Sequence, residues 1–197
     1  GGLGLAWGAH TYLCGDTILR HGNEEQKKKY VPKIASGEWV GAMGLTEPGA
    51  GSDAASVRTT AARKGDTYYL NGTKMFITNG PIADVMVIIA VTDREKKGAG
   101  ISAFIVEKKY PGFSVGRELK KMGVKASTTG ELVFDECPVP AENILRREGD
   151  GFLIALGTVE WDRSTLLAPC LGGLEYALEA CVSYSKERRR FDRPISS

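Results

Sequence analysis

The chain has 197 residues, 42% hydrophobic and 25% charged, with a formal net charge of +2. That apolar content supports a packed core in one large domain or parts of two and excludes a disordered chain, while Lys and Arg interleaved with Asp and Glu exclude a nucleic-acid surface. Cys14, Cys137, Cys170 and Cys181 are scattered without a C-x-x-C pair, so neither a metal site nor a disulfide framework is expected and a reducing compartment fits.

No apolar run approaches the roughly 20 residues that span a bilayer, so no membrane insertion is expected. The chain opens at Gly1 without Met and stops just after a charged helix, which suggests an internal piece of a longer protein. Leu3, Leu5, Trp7, Leu13, Ile18 and Leu19, with Gly breaks between them, predict a buried helix over residues 3–20 that stops near Gly22. Asn23 then caps a mostly solvated helix with Glu24 and Glu25 in its first turn and Lys27, Lys28 and Lys29 in its body, the order a helix dipole favours. Together these form a helical unit, residues 1–37. His10 and His21, the only histidines, have no ligand or nucleophile partner at motif spacing and read as packed or surface residues.

Val40, Ala42, Met43 and Leu45 predict a short buried strand that runs into Gly44-Leu45-Thr46-Glu47-Pro48-Gly49-Ala50-Gly51-Ser52-Asp53. Pro48, Gly49 and Gly51 permit neither strand nor helix, so the chain turns there. Glycine lets backbone amides approach a flat or anionic ligand, and Thr46 and Ser52 add hydroxyls, a composition suited to a large polar cofactor. An ordinary Gly-rich surface turn has the same composition.

Short runs at 57–61, 68–70, 85–91, 101–106 and 132–134, separated by turns such as Gly65-Asp66, Asn71-Gly72, Lys97-Gly98 and Pro111-Gly112, predict an antiparallel sandwich or barrel over residues 38–146. Asn71-Gly72 carries a hairpin signal and Asn79-Gly80 a second turn. Residues 131–140 read as the last strand, ended by Pro138 and Pro140. After Gly149-Asp150-Gly151, the residues Phe152, Leu156, Val159, Leu166, Cys170, Leu174, Ala177 and Cys181 recur at three- and four-residue steps. They predict one buried helix face in a third unit, residues 147–197, with a kink or a boundary between two helices at Pro169. Arg163 falls on that stripe, where a bare guanidinium is expensive to bury, and Glu160 stands within pairing reach. The terminal run Arg188-Arg189-Arg190-Phe191-Asp192-Arg193-Pro194 reads as a solvated basic helix end.

Two stretches, 44–53 and Asn71-Gly72-Thr73-Lys74-Met75-Phe76-Ile77-Thr78-Asn79-Gly80, resemble in content, order and separation the acyl-CoA dehydrogenase family. There a loop of the form G-[aliphatic]-[S/T]-E-x-x-x-G-[S/T]-D wraps the flavin of FAD, and a K-x-[W/F]-I-T-N segment covers one of its faces. Residues 22–37, Met122-Gly123 through Ser127, Thr129 and Leu132, and Arg188 with Phe191 carry the likeness over nearly the whole chain. Gly130, Arg190 and Asp192 depart from the family pattern. The resemblance implies an α+β fold, an antiparallel β-sandwich or barrel flanked by all-α helical-bundle segments. It also implies FAD-dependent α,β-desaturation of an acyl-CoA, with electrons passed to an electron-transfer flavoprotein, by a homo-oligomer (dimer or tetramer) of bacterial cytoplasm or mitochondrial matrix.

The flavin contacts so implied are Met43, Leu45, Thr46, Gly51, Ser52, Phe76, Ile77 and Thr78, with Arg188 and Phe191 reaching the FAD of a neighbouring subunit. The implied acyl-CoA contacts are Ser52, Glu160, Trp161 and Arg163. In most of the family the catalytic base lies in the C-terminal helical domain, beyond Ser197. The isovaleryl and long-chain branches instead carry a glutamate immediately before the helix arginine, and Asp162 holds that place with one methylene fewer. Asp162 is therefore the candidate base in this chain, its alternative being a helix-surface aspartate. On the same fold, a flavin-dependent oxidase or a carrier-protein thioester dehydrogenase remains open; from another class, so does a flavin-free scaffold.

Overall fold

A computed structural model describes residues 2–197. Helix α1 (Gly2–Gly8) continues through a π-helical stretch, Ala9–Asp16, into α2 (Thr17–His21), so the glycines do not break it. The wider i→i+5 turn shifts the buried face. Ala9, Cys14, Thr17 and Ile18 point inward, whereas Leu3, Trp7 and Leu19 of the expected face are exposed. Helix α3 (Glu24–Ala35) begins with a capping box in which Asn23 and Gln26 satisfy each other's backbone amides. It buries Gln26, Tyr30 and Ile34.

Seven strands form one sheet: β1 (Gly41–Gly44), β2 (Thr60–Lys64), β3 (Thr67–Thr78), β4 (Val85–Val91), β5 (Ile101–Glu107), β6 (Phe113–Glu118) and β7 (Thr129–Pro140). The sheet is mixed, because β1 lies parallel to β4. Strands β2, β3, β7 and β6 make an antiparallel arm, joined to β4 where Thr60 meets Val91. Strand β4 is buried on both faces. Met86, Ile88 and Ala90 pack with Tyr68, Leu70, Leu132 and Phe134, while Val85, Val87 and Ile89 pack with Cys14, Ile18 and Tyr30 of the helices. Double-sided burial explains why 85–91 is an unbroken apolar run.

The hairpin between β2 and β3 turns at Gly65-Asp66, where Lys64 pairs with Thr67. Asn71-Gly72 is not a turn but lies within β3, opposite an extra residue in β7, where two steps of β3 span three of β7 and Gly72 takes φ +146. A Cβ there would lie 2.6 Å from the Thr59 hydroxyl, so close approach of a neighbouring segment explains this glycine.

The C-terminal region contains two helices, α4 (Gly151–Thr165) and α5 (Ala168–Glu187), with Pro169 in the first turn of the second. Proline is tolerated there because no helical partner awaits its missing N–H. Helix α4 buries Gly151, Ile154, Ala155 and Thr158 rather than Phe152, Leu156 and Val159, and α5 buries nothing. Glu160 and Arg163 are both exposed, and no ion pair joins them among the described residues; an exposed guanidinium needs none. By length and composition alone Gly151–Glu187 is long and apolar enough to cross a membrane, because small and apolar residues dilute its few charges, but the chain divides there into α4 and α5. The end of the chain is a small hairpin, β8 (Arg189–Arg190) with β9 (Arg193–Pro194), not a helix end.

Away from the sheet's open end, Glu107 is 2% exposed and accepts from the Tyr30 hydroxyl at 2.9 Å. Lys29 and Lys109 flank it at 2.9 and 2.8 Å. Burial pushes this carboxyl up, but Lys109, Lys29 and Tyr30 outweigh it and hold it down at about 2. Its contribution is therefore present above the ordinary value of 4.5 and lost as pH falls toward 2. Screening by solvent around half-exposed Lys29 and mostly exposed Lys109 leaves roughly 1–2 kcal/mol. Glu107→Gln should flatten the acid limb of stability in that window, as read by chemical unfolding at stepped pH.

Candidate active site

The loop leaving β1 and the end of β3 come together at one cavity of about 160 Å³. Met43, Leu45 and Thr46 line it from the first side, and Phe76, Ile77 and Thr78 from the second. At Gly44, where β1 ends, there is no room for a side chain: a Cβ would sit 2.7 Å from the Ile88 methyl. The third wall is helical, made by Leu13 of the π-helical stretch and by Val159 and Asp162 of α4. Helix α4 is held in place partly by a buried hydroxyl pair, Thr17 with Thr158 at 2.9 Å.

The two strand-side walls are fastened to each other. Lys74, fully buried, reaches Glu47 at 2.7 Å and donates to the Leu45 carbonyl at 3.1 Å. The Met75 amide donates to the Thr46 carbonyl at 2.8 Å. Glu47 accepts in addition from the amides of Arg58 (2.6 Å) and Thr59 (2.9 Å). Burial pulls the Lys74 ammonium down to about 8 against the pull of Glu47. Burial pushes Glu47 up, but Lys74 and the Thr59 amide outweigh it and hold it below the ordinary carboxylate range. His10 is also structural. It accepts from the Gly41 amide at Nδ1 and contacts the Ile34 carbonyl through Nε2, both at 3.0 Å, which places its ring proton on Nε2.

Asp162 is half-buried, and burial raises its carboxyl above the ordinary value. It also lines a second cavity of about 380 Å³, walled by Gly4, Trp7, Tyr12, Leu166 and Pro169. Asp162 thus belongs to the lining of both spaces. A larger cavity, about 480 Å³ beside residues 118–128, shares no lining residue with either.

Other expected contacts lie outside the 160 Å³ cavity. Gly51 and Ser52 are exposed on the loop beyond Glu47. Glu160 and Arg163 face outward, and Trp161 lies under the Arg20 guanidinium, 4.9 Å from ring centre. Arg188 and Phe191 belong to the terminal hairpin region, where Phe191 is 94% exposed. Sequence reasoning assigned no role to Leu13, Val159 or the Glu47–Lys74 pair. A detectable signal existed for the last: Lys74 occupies a strand position in phase with buried Leu70, and a buried lysine needs an acid.

The donor set fits a flat heteroaromatic ring. Phe76 presents an aromatic face that is 61% exposed. The Thr46 and Thr78 hydroxyls have no hydrogen-bond partner among the described residues and can meet a polar ring edge.

Residues 42–137 match the family description Acyl-CoA dehydrogenase, middle domain; residues 1–38 match its N-terminal domain and 149–197 its C-terminal domain. The chain belongs to the acyl-CoA dehydrogenase family. It is 49% identical over 195 residues to the short-chain specific acyl-CoA dehydrogenase of Clostridium acetobutylicum, covering 99% of this chain and 52% of that one. Among solved structures, butyryl-CoA dehydrogenase from Megasphaera elsdenii superposes with TM-score 0.94 at 45% identity, covering 100% of this chain and 51% of that chain. A prolyl acyl carrier protein oxidase superposes equally well, TM-score 0.94 at 39% identity, over 99% of this chain and 52% of that chain. The chain therefore spans about half the length of the acyl-CoA dehydrogenases it matches.

Proposed function

We propose that the full-length protein is a FAD-dependent acyl-CoA dehydrogenase that introduces a trans double bond between Cα and Cβ of an acyl thioester and passes the electrons to an electron-transfer flavoprotein. The supporting observation is that Thr46 and Thr78, on separate segments, line one cavity with Asp162 facing them from α4. Met43, Leu45, Thr46, Phe76, Ile77 and Thr78 would hold the isoalloxazine ring. Ser52 and Gly51 would serve its phosphate side, and Arg188 and Phe191 the FAD of a neighbouring subunit. FAD, when bound, supplies the acceptor for the hydride that leaves Cβ.

The chain's own residues perform the other half of the reaction. Asp162 takes the Cα proton, and its half-buried setting makes it a stronger base than a solvated aspartate. Trp7, Tyr12, Leu166 and Pro169 line the adjoining cavity and would take the apolar acyl group. Glu160, Trp161 and Arg163 would meet the CoA portion from the exposed side of α4.

The purified protein should show the visible bands of oxidised flavin, and anaerobic addition of butyryl-CoA should bleach them. A colourless preparation that takes up no FAD would rule the assignment out. A second reading, an oxidase or a carrier-protein thioester dehydrogenase, is favoured by the close superposition on the prolyl carrier protein oxidase. Oxygen consumption during turnover, or bleaching only by carrier-bound acyl groups, would establish it.

A further inference from the structure

Strand β3 loses its register against β7 between Lys74 and Ile77. Lys74 is paired with Leu132 and Ile77 with Gly130, so Met75 and Phe76 sit in the slipped segment, and Phe76 takes φ +60. A bulky residue with positive φ is held only where its surroundings over-determine it. Three bonds come from the opposite wall: Met75 N–H to the Thr46 carbonyl, Lys74 Nζ to the Leu45 carbonyl, and Lys74 Nζ to Glu47. Glu47 in turn is fixed by the amides of Arg58 and Thr59, so the clamp is anchored at both ends.

Stability alone does not account for the pair. A buried ion pair is commonly replaceable by apolar residues of like volume without loss of stability, and this one is fully enclosed, at 0% and 5% side-chain exposure. Its directional bonds end on Leu45 and on the strand immediately before Phe76, both of which line the cavity. We infer that Glu47 and Lys74 are positioning residues that set the spacing and tilt of the Leu45–Thr46 and Phe76–Thr78 walls, and through them the fit of the flavin ring. The inference rests on the FAD assignment above. It concerns what holds the two walls in place, which the assignment leaves open.

Compare the full-length wild type with Glu47→Gln, Lys74→Met and the double variant Glu47→Gln/Lys74→Met. The measurements are apoprotein Tm, the Kd for FAD by fluorescence quenching, and the shape of the bound flavin's visible bands. Each single variant should lower both Tm and FAD affinity, because one partner is left buried and unpaired. The double variant should regain an apoprotein Tm near wild type yet bind FAD at least tenfold more weakly, with altered band shape. A double variant with wild-type affinity and spectrum would reduce the pair to a structural ion pair and overturn the inference. A wild type that binds no FAD overturns the flavin assignment instead. Amide exchange at Met75 and Phe76 in the apoprotein then decides the clamp: at least tenfold faster exchange in the double variant supports it, and unchanged exchange refutes it.

Discussion

Asp162→Asn is expected to slow bleaching of the flavin by substrate by about two to four orders of magnitude, the usual worth of a general base, while FAD remains bound. Asparagine keeps the shape of the side chain and removes its capacity to accept a proton. Asp162 lines both cavities, those proposed above for the flavin and for the acyl group, and so stands where a base for Cα would be needed. The stability effect has the opposite sign. Burial raises this carboxyl, so the folded chain holds its proton to higher pH than the unfolded chain does. The associated stability is present at acid pH and is lost as pH rises through the raised value. At neutral pH the ionised group costs stability, and Asp162→Asn should unfold no earlier than wild type. Stopped-flow bleaching and thermal unfolding of the same preparations test both halves. Bleaching at the wild-type rate would remove Asp162 from the chemistry and move the base to a residue beyond Ser197.

Gly151→Ala should destabilise the fold by about 3 kcal/mol or more, through overpacking that neither side can relieve. A Cβ at Gly151 would lie 2.3–2.7 Å from the backbone of Ser102 and Ala103 in β5, with no side-chain end to swing aside. The first turn of α4 would be pushed off the sheet, taking Val159 and Asp162 with it, so flavin retention should fall together with Tm. Gly157→Ala in the same helix provides the control. Nothing lies within 4 Å of its Cβ, and replacing a mid-helix glycine should add roughly 0.5–1 kcal/mol. Opposite signs for one chemical change on one helix, read by thermal unfolding, separate docking from helix propensity.

Much of the site was legible in the sequence because two short motifs carry it. Thr46 and Thr78 could be placed at one cavity from local composition and family likeness alone, and the apolar run 85–91 announced a central strand. What was not legible depends on partners distant in sequence. The parallel pairing of β1 with β4 has no local signature, and Asn71-Gly72 reads as a hairpin turn even where the chain runs on through a strand. The apolar positions of α4 are too many to show which face docks. The π-helical stretch at residues 9–16 shifted the phase of the first helix, so Trp7 was counted as buried although it is 54% exposed.

That stretch also offers a route to new specificity that substitutions do not. A π-helical segment holds a surplus of chain over a regular helix, and each residue of an α-helix advances about 100° around its axis. Deleting one residue between Ala9 and Leu13 would let the helix rewind and rotate everything upstream, Trp7 and Gly4 included, while the docked portion at Thr17 and Ile18 keeps its place. Length variation by a single codon would thus reshape the compartment beside Asp162, at the expense of the bonds that tie this segment to the sheet, from Asn79 Nδ2 to the Ala6 carbonyl and from the Gly41 amide to His10.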